Sequence, residues 1–572
     1  MPRREGSIMA EPTTPRPGSS AHAATIRGLA AGATPGLPFG RFGPMFDLPP
    51  CPSLPEPGLA ALAQAMVKQD PGAPITEREP VDENAAIPAG YTYFGQFVDH
   101  DITFDPTPLG AAQVDPEALA DFRSPALDLD SVYGRGPADQ PYLYERDGLR
   151  LRLGAQVNAE ALAPVNTRLD ILRLPDGTAI LGDKRNDENK IVSQIHGAFI
   201  AFHNKVVTDD ALLDAFGADR STPEARFAAA ATILRWHYQW VVVHDFLQRI
   251  CSPGMVAEVL NPGGTPRLQH YLQQEAKYPY MPLEFSGAAY RFGHSMVRPS
   301  YSLNKVVLAR KEGGDPAKER IPTFSRDPRG TENLNGFPGT LPAFWGIDWS
   351  FFLDDVEGVA GGVRVGGKPA VLPQPSYRID ALLAEPLQDL PEFFNAATPP
   401  GSPASILGNL AFRNLKRGQL LRLPSGQAVA QALGIAPLPD DILWGAGSFV
   451  PPPAGDAEIR DALASTAKAR RAVRRDWVDP PGAPLRSHAP LWYYVLREAE
   501  YYGASEPQRD GAAMGGQHLG PVGSRIVAET LIGLLWLDPT SFLHSRRGFR
   551  PLDAVTGGKP LTLGRMIGFA LR

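Results

Sequence analysis

Two carboxylates flank one histidine in Tyr93-Phe94-Gly95-Gln96-Phe97-Val98-Asp99-His100-Asp101, and Gln96 precedes that histidine by four residues. The set suits proton transfer, because an imidazole with an unperturbed pKa of about 6.5 accepts a proton and returns it near neutral pH. On a helix Gln96 and His100 share a face, Asp99 lies close to it, and Asp101 turns about 100° away. One short turn can thus serve two different sites. Standing alone, the segment reads as a surface turn with a capping aspartate.

Three further segments accompany it. Ser124-Pro125-Ala126-Leu127-Asp128-Leu129-Asp130-Ser131-Val132-Tyr133-Gly134 sets oxygen ligands at alternate positions. In an extended loop, residues 124, 126, 128 and 130 project to one side or turn carbonyls inward, which suits a hard cation demanding roughly six to eight oxygens. Asp101 would complete three carboxylates around one divalent ion, although a solvated acidic turn fits the spacing as well. Gly182-Asp183-Lys184-Arg185-Asn186-Asp187-Glu188-Asn189 holds Arg185 and Glu188 three apart, the spacing of an ordinary surface pair. In Tyr290-Arg291-Phe292-Gly293-His294-Ser295-Met296-Val297-Arg298-Pro299, Gly293 lets another group approach the backbone directly before a histidine in an apolar setting. A haem axial ligand needs that arrangement, and an isolated case would be a satisfied core histidine. His196, His203, His237 and His244 lack any zinc spacing and read as core or capping residues, with His203-Asn204 anchoring a helix end.

Helices must position these groups. Ile191, Ile195, Phe199, Phe202 and Val206 recur every three to four residues, predicting a helix over Asn186–Val207. Ser221-Thr222-Pro223-Glu224 has capping-box spacing and opens a long buried helix through Leu247. Further helices are expected at Leu59–Lys68, Asp456–Asp476, Leu491–Tyr502 and Pro521–Leu537, and strand alternation is confined to pieces such as Leu149–Leu153. The helix from Asp456 carries Lys468, Arg470, Arg471, Arg474 and Arg475 among acids, a solvated charged face.

Composition narrows the class. The chain has 572 residues, 43% of them hydrophobic and 21% charged, close to soluble globular averages. Glycine and proline, 57 and 59 residues, make up about a fifth of the chain against roughly 12% in average usage. Much backbone must therefore lie in turns and loops. A net charge of −6 carries no basic excess for nucleic acid. Ile526–Leu537, interrupted by Glu529, is shorter than the roughly 20 residues of a membrane span. Cys51 and Cys251 allow at most one disulfide. Arg3 and Arg4 precede no apolar run, so no leader is visible, and both a cytoplasmic location and leaderless export fit.

Taken together and in this order, the four segments resemble the animal-type haem peroxidases, the myeloperoxidase-like branch of the peroxidase and cyclooxygenase superfamily. The likeness runs from about Gly90 to Arg417 and, for bacterial-type members, through Pro490 to Leu537. It implies a mainly α fold, a single large helical catalytic domain with long loops and very little β over residues 61–572, behind a flexible and extended N-terminal arm over residues 1–60.

The resemblance also implies roles. His100 becomes the distal histidine, Gln96 its pocket neighbour, Arg185 the distal arginine and His294 the proximal iron ligand. Asn414, in Arg413-Asn414-Leu415-Lys416-Arg417, matches the asparagine that accepts the proximal histidine's second N–H, and Arg291 and Arg417 resemble propionate partners. Asp101, Ser124, Ala126 through its carbonyl, Asp128 and Asp130 match the calcium loop, with Ala126 and Asp130 departing from the usual side chains. Asp99 and Glu188 match the carboxylates that become ester-linked to haem. Asn189 stands where a sulfonium-forming methionine would be, which argues against efficient chloride oxidation.

The implied activity is reduction of hydrogen peroxide through an oxoferryl species, with phenols, iodide, bromide or thiocyanate as donors. Such a role belongs to the response to oxidative stress. A fatty-acid dioxygenase of the same superfamily would place tyrosine three residues before the proximal histidine; Arg291 stands there, and Tyr290 is one residue early. A non-catalytic haem or calcium scaffold would be expected to have lost His100 or Arg185, and both are present.

Overall fold

The computed structural model describes residues 40–67, 83–104, 120–121, 123–157, 168–272, 278–305, 307, 320–324, 333–336, 341–342, 345–356, 364–365, 368–369, 372–393, 403–445, 468–502, 515–546 and 548–572. The first 39 residues of the expected arm, and residues 456–467 of the expected charged helix, lie outside them.

The fold is mainly α. The longer helices are α1 (Glu56–Gln64), α2 (Gly90–Ile102), α3 (Lys190–Thr208), α4 (Pro223–Val241), α5 (Leu410–Leu420), α6 (Leu491–Tyr502), α7 (Pro521–Leu537) and α8 (Leu563–Leu571). Strands are short and scattered: Gly40–Gly43 pairs antiparallel with Ala120–Asp121 and parallel with Met281–Pro282, and the other sheets have two strands each. Strand structure begins at Leu153 rather than Leu149, because Asn204 clamps both backbone groups of Leu151 at 2.8 Å.

Local chemistry explains the helix ends. Asn189 accepts from the Ile191 N–H at 2.8 Å and so starts α3 at Lys190, leaving Lys184–Asp187 as a separate 3₁₀ turn. Thr222 caps α4 through the Ala225 N–H, with Pro223 in the first turn. Beyond Val241 the helix passes through a π turn, Val242–Phe246, before one more α turn to Ile250.

Aromatic packing fixes α2 against α3 and α4. The rings of Phe97 and Phe199 lie 4.6 Å apart, and Phe94 meets Phe246 at 5.5 Å and Tyr238 at 6.1 Å. Each such ring contributes about 1.5–3 kcal/mol on burial, so the histidine-bearing helix is rigidly seated. At its N-terminus Gly90 comes within 2.8 Å, at the position a Cβ would occupy, of the Phe352 carbonyl.

Three details depart from sequence expectation or complete it. Arg470 is buried beside Glu500 rather than solvated, while Arg474 and Arg475 pair with Asp479 and Asp476 on the surface. Cys51 and Cys251 are both free. Among the described residues no helix is long and apolar enough to cross a membrane.

Candidate active site

Helix α2 delivers three consecutive residues to three different surroundings. Asp99 accepts from the Thr103 hydroxyl at 3.2 Å. His100 is buried, with Nδ1 2.8 Å from Asn186 Oδ1 and Nε2 3.3 Å from Glu188 Oε1. Asp101 turns away to the aspartates of the 124–134 loop. Gln96, one turn before His100, donates to the same Glu188 oxygen.

The Glu188 side chain keeps 37% of its surface open. Burial pushes its carboxyl up, but the charges of His100 and Arg185 and the hydrogen bonds from His100 and Gln96 outweigh burial and hold it below the usual range.

Arg185 sits at the edge of this group and grips the end of α2. Its Nη2 donates to the carbonyls of His100 at 2.9 Å and Thr103 at 2.6 Å, and to Asp183 Oδ2 at 2.8 Å, with the guanidinium 4.7 Å over the Phe104 ring. These contacts lie with main chain and Asp183 rather than with the His100 imidazole. Asp183 opens the 3₁₀ turn by accepting from the Arg185 N–H, which orients the arginine. Burial pushes the Asp183 carboxyl up, but Arg185 and Arg123 pull it well below the ordinary range.

The expected cation loop gathers as an aspartate cluster. Carboxylate oxygens of buried Asp101, Asp128 and Asp130 lie within 4.8 Å of one another. Ser124 donates to Asp128 Oδ2 at 2.9 Å, Ser131 donates to Asp101 at 3.1 Å, and Ala126 is buried in the same loop. Leu129 is left-handed at φ 62°, a strained backbone that lets its N–H reach Asp101 Oδ2 at 3.1 Å. Burial, then the Asp130 charge, raises the Asp101 carboxyl to about 7, and burial with both neighbouring carboxylates raises Asp128 well above its usual value.

Sequence reasoning missed the residue that links this cluster to the arginine segment. Arg123 donates to Asp130 Oδ1 at 2.9 Å and to the Gly182 carbonyl at 3.2 Å, and its Nη2 lies 2.6 Å from Asp183. Its position immediately before Ser124 was the available signal. Asn186 and Asp183 likewise carry no expectation from sequence, and His196 carries only the core or capping one.

On the other side, His294 ends a 3₁₀ turn, Ala289–His294, that packs against α2, α6 and α7. The Tyr290 hydroxyl donates to the Gly95 carbonyl at 3.2 Å, tying this turn to α2. His294 Nδ1 lies 2.8 Å from Asn414 Nδ2, so the expected pair is formed. Its polarity is the reverse of expectation, because Arg291 Nη1 donates to Asn414 Oδ1 at 3.2 Å and so turns the amide nitrogen to the histidine. Arg291 Nε also donates to the Ser286 carbonyl at 2.8 Å, and Arg417, three residues past Asn414 on α5, is half-buried. Trp492 stands edge-on to His294 at 6.5 Å. Burial, reinforced by Arg291, lowers the His294 pKa to about 3, so the ring is neutral and able to ligate a metal.

The residues fit a bound haem. A Cβ placed on Gly293 meets no heavy atom within 4 Å, so His294 adjoins open space, and the neutral imidazole supplies the donor that haem iron takes. Asn189 is buried and committed to capping α3.

Comparison with known proteins bears on this arrangement. Residues 110–322 match the animal haem peroxidase family, a span that includes Arg185, Glu188 and His294 but neither His100 nor Asn414. Thyroid peroxidase of Canis lupus familiaris is 26% identical over 200 residues, which is 30% of this chain and 19% of that protein's length. Peroxidase A from Dictyostelium discoideum aligns over 93% of this chain and 90% of its own, with 14% identity and a TM-score of 0.48. The fatty acid alpha-dioxygenase of Arabidopsis thaliana aligns over 88% of this chain and 74% of its own, with 13% identity and a TM-score of 0.45. Over residues 110–322, well under half of its length, the chain is thus similar to the animal haem peroxidase family.

Proposed function

We propose that the protein is a haem peroxidase that reduces hydrogen peroxide and oxidises small donors such as phenols, iodide, bromide or thiocyanate. The observation that carries this reading is His100, buried with Nε2 3.3 Å from the Glu188 oxygen to which Gln96 donates. Bound haem supplies the redox chemistry that peroxide reduction requires.

The chain's own residues supply the rest. His294 would be the residue that holds the iron, with Asn414 as its hydrogen-bond partner and Arg291 and Arg417 as the cations that would meet the haem carboxylates. His100 accepts a proton from peroxide and returns it to the departing oxygen. Arg185 contributes positive charge from the edge of the site and steadies the backbone that carries His100. Asp99 and Glu188 stand ready for ester links.

A calcium ion at Asp101, Ser124, Ala126, Asp128 and Asp130 completes the framework. Among the described residues, the buried carboxylates Asp101, Asp121, Asp128, Asp130 and Asp183 face the guanidiniums of Arg123, Arg185 and Arg235. Burial, with repulsion among neighbouring carboxylates, raises Asp101, Asp121 and Asp128, and a divalent cation there would offset that repulsion.

The test is direct. Full-length protein supplemented with haem should give a Soret band and peroxide-dependent dye oxidation; His294→Ala should lose both, and His100→Ala should keep the band and lose the oxidation. Wild type without a Soret band refutes the reading. Acidified butanone should fail to extract the haem unless Asp99 and Glu188 are both replaced by amides.

A further inference from the structure

We infer that Asn186, held in place by His196, fixes the tautomer and ring orientation of His100, so that Nε2 is presented to Gln96 and Glu188. The inference rests on the reading of His100 as the group that moves a proton; Asn186 acts through it as a positioning residue.

The geometry is a chain of three side chains. Asn186 is fully buried, its Oδ1 2.8 Å from His100 Nδ1 and its Nδ2 3.0 Å from His196 Nδ1. A carboxamide accepts at one end and donates at the other, so this chain runs one way only: His196 Nδ1 accepts, and His100 Nδ1 carries a proton. His196 is suited to the accepting end. It lies on α3, buried against the Phe97 ring at 6.4 Å, and burial outweighs the pull of Asp183 to lower its pKa to about 4. It therefore stays neutral.

The consequence concerns which nitrogen does the work. With Nδ1–H committed to Asn186, a neutral His100 has its lone pair on Nε2, facing Gln96 and Glu188. A protonated His100 donates from both nitrogens, Nδ1 to Asn186 and Nε2 to Glu188 at 3.3 Å. The same Asn186 orientation serves both states, so proton transfer needs no rearrangement behind the ring. Arg185 and Asp183 approach from the carbonyl side of His100, and Asp99 and Asp101 flank it on α2; none of them is placed by a hydrogen bond on Nδ1.

The tautomer can be read without haem. In full-length protein labelled with 15N-histidine, His100 is identified by the signal lost in His100→Gln, and solid-state NMR reports which nitrogen bears the proton when the ring is neutral. Wild type should carry it on Nδ1. Asn186→Asp keeps an acceptor on His100, and His196 can present its proton to the other oxygen, so the signal should persist. Asn186→Leu removes the acceptor and should shift the proton to Nε2. With haem, Asn186→Leu should slow the reaction with peroxide by about 100-fold, the lower range of a positioned general base, while donor KM holds and Asn186→Asp recovers most of the rate. A wild-type proton on Nε2, or Asn186→Leu indistinguishable from wild type, overturns the inference. If His100→Gln leaves peroxide reactivity intact, the functional reading fails instead, and the nitrogen signals still decide the role of Asn186.

Discussion

Arg123 and Asp183 meet at 2.6 Å, joining the loop that gathers the aspartates to the segment that carries Arg185. Arg123 reaches Asp130 as well, so one guanidinium spans the two halves of the distal framework. Removing it leaves two buried carboxylates short of a counter-charge. Arg123→Met should therefore lower unfolding free energy by about 3–5 kcal/mol in urea titrations, with Arg123→Lys recovering only part because an ammonium cannot fork to both acids. An unchanged midpoint would show that the bridge is dispensable.

Calcium should stabilise the same framework. A hundredfold excess of ion over its dissociation constant adds about 2.7 kcal/mol, seen as a higher melting temperature reversed by chelator. Asp128→Asn should weaken binding at least tenfold in calorimetric titration while leaving the ion-free melting temperature little changed or higher. One ion per chain is the expected stoichiometry, and no heat on titration counts against the site.

Gly293 separates folding from cofactor binding. A Cβ there meets nothing within 4 Å in the protein alone, so Gly293→Ala should fold with nearly wild-type stability. If His294 holds haem, the added methyl would take up space beside it that the group needs. Haem titration followed at the Soret band should show at least a tenfold loss of affinity; equal affinity would place the haem elsewhere.

Glu284 predicts a pH dependence remote from the chemistry. It is buried, accepts from the N–H groups of Met45 and Phe46, and burial raises its carboxyl to about 7. The unfolded chain then releases its proton first, so this group's contribution is complete below pH 4, declines through the interval up to about 7, and is lost above it. The loss approaches about 3 kcal/mol. Wild type should lose stability relative to Glu284→Gln from pH 5 to pH 8; a constant difference between the two would refute the assignment.

Side-chain type and periodicity made the helices and the histidines legible. Leu491–Tyr502 and Pro521–Leu537 coincide with α6 and α7, and the order of Gln96, His100, Arg185 and His294 carried the family resemblance. Asn186 and His196 stayed hidden because their function lies in a contact between a 3₁₀ turn and the middle of a helix, which no local spacing encodes. Arg470 misled for a related reason. Its neighbours Arg474 and Arg475 are solvated, and only the packing of Glu500 against it reveals a buried face.

The placement of Asp99, His100 and Asp101 on one continuous helix also bears on how this region can change. Each residue owes its surroundings to its angular position, so an insertion or deletion between Gln96 and Asp101 would exchange assignments rather than merely displace them. One residue inserted between Gln96 and Asp99 would swing the imidazole toward the aspartates, and one removed there would swing it the other way; in both cases a carboxylate would take its place beside Glu188. Length variation in descendants of this chain should therefore collect in its connecting loops, while the hexad from Gln96 to Asp101 admits replacement of residues but no change in their number.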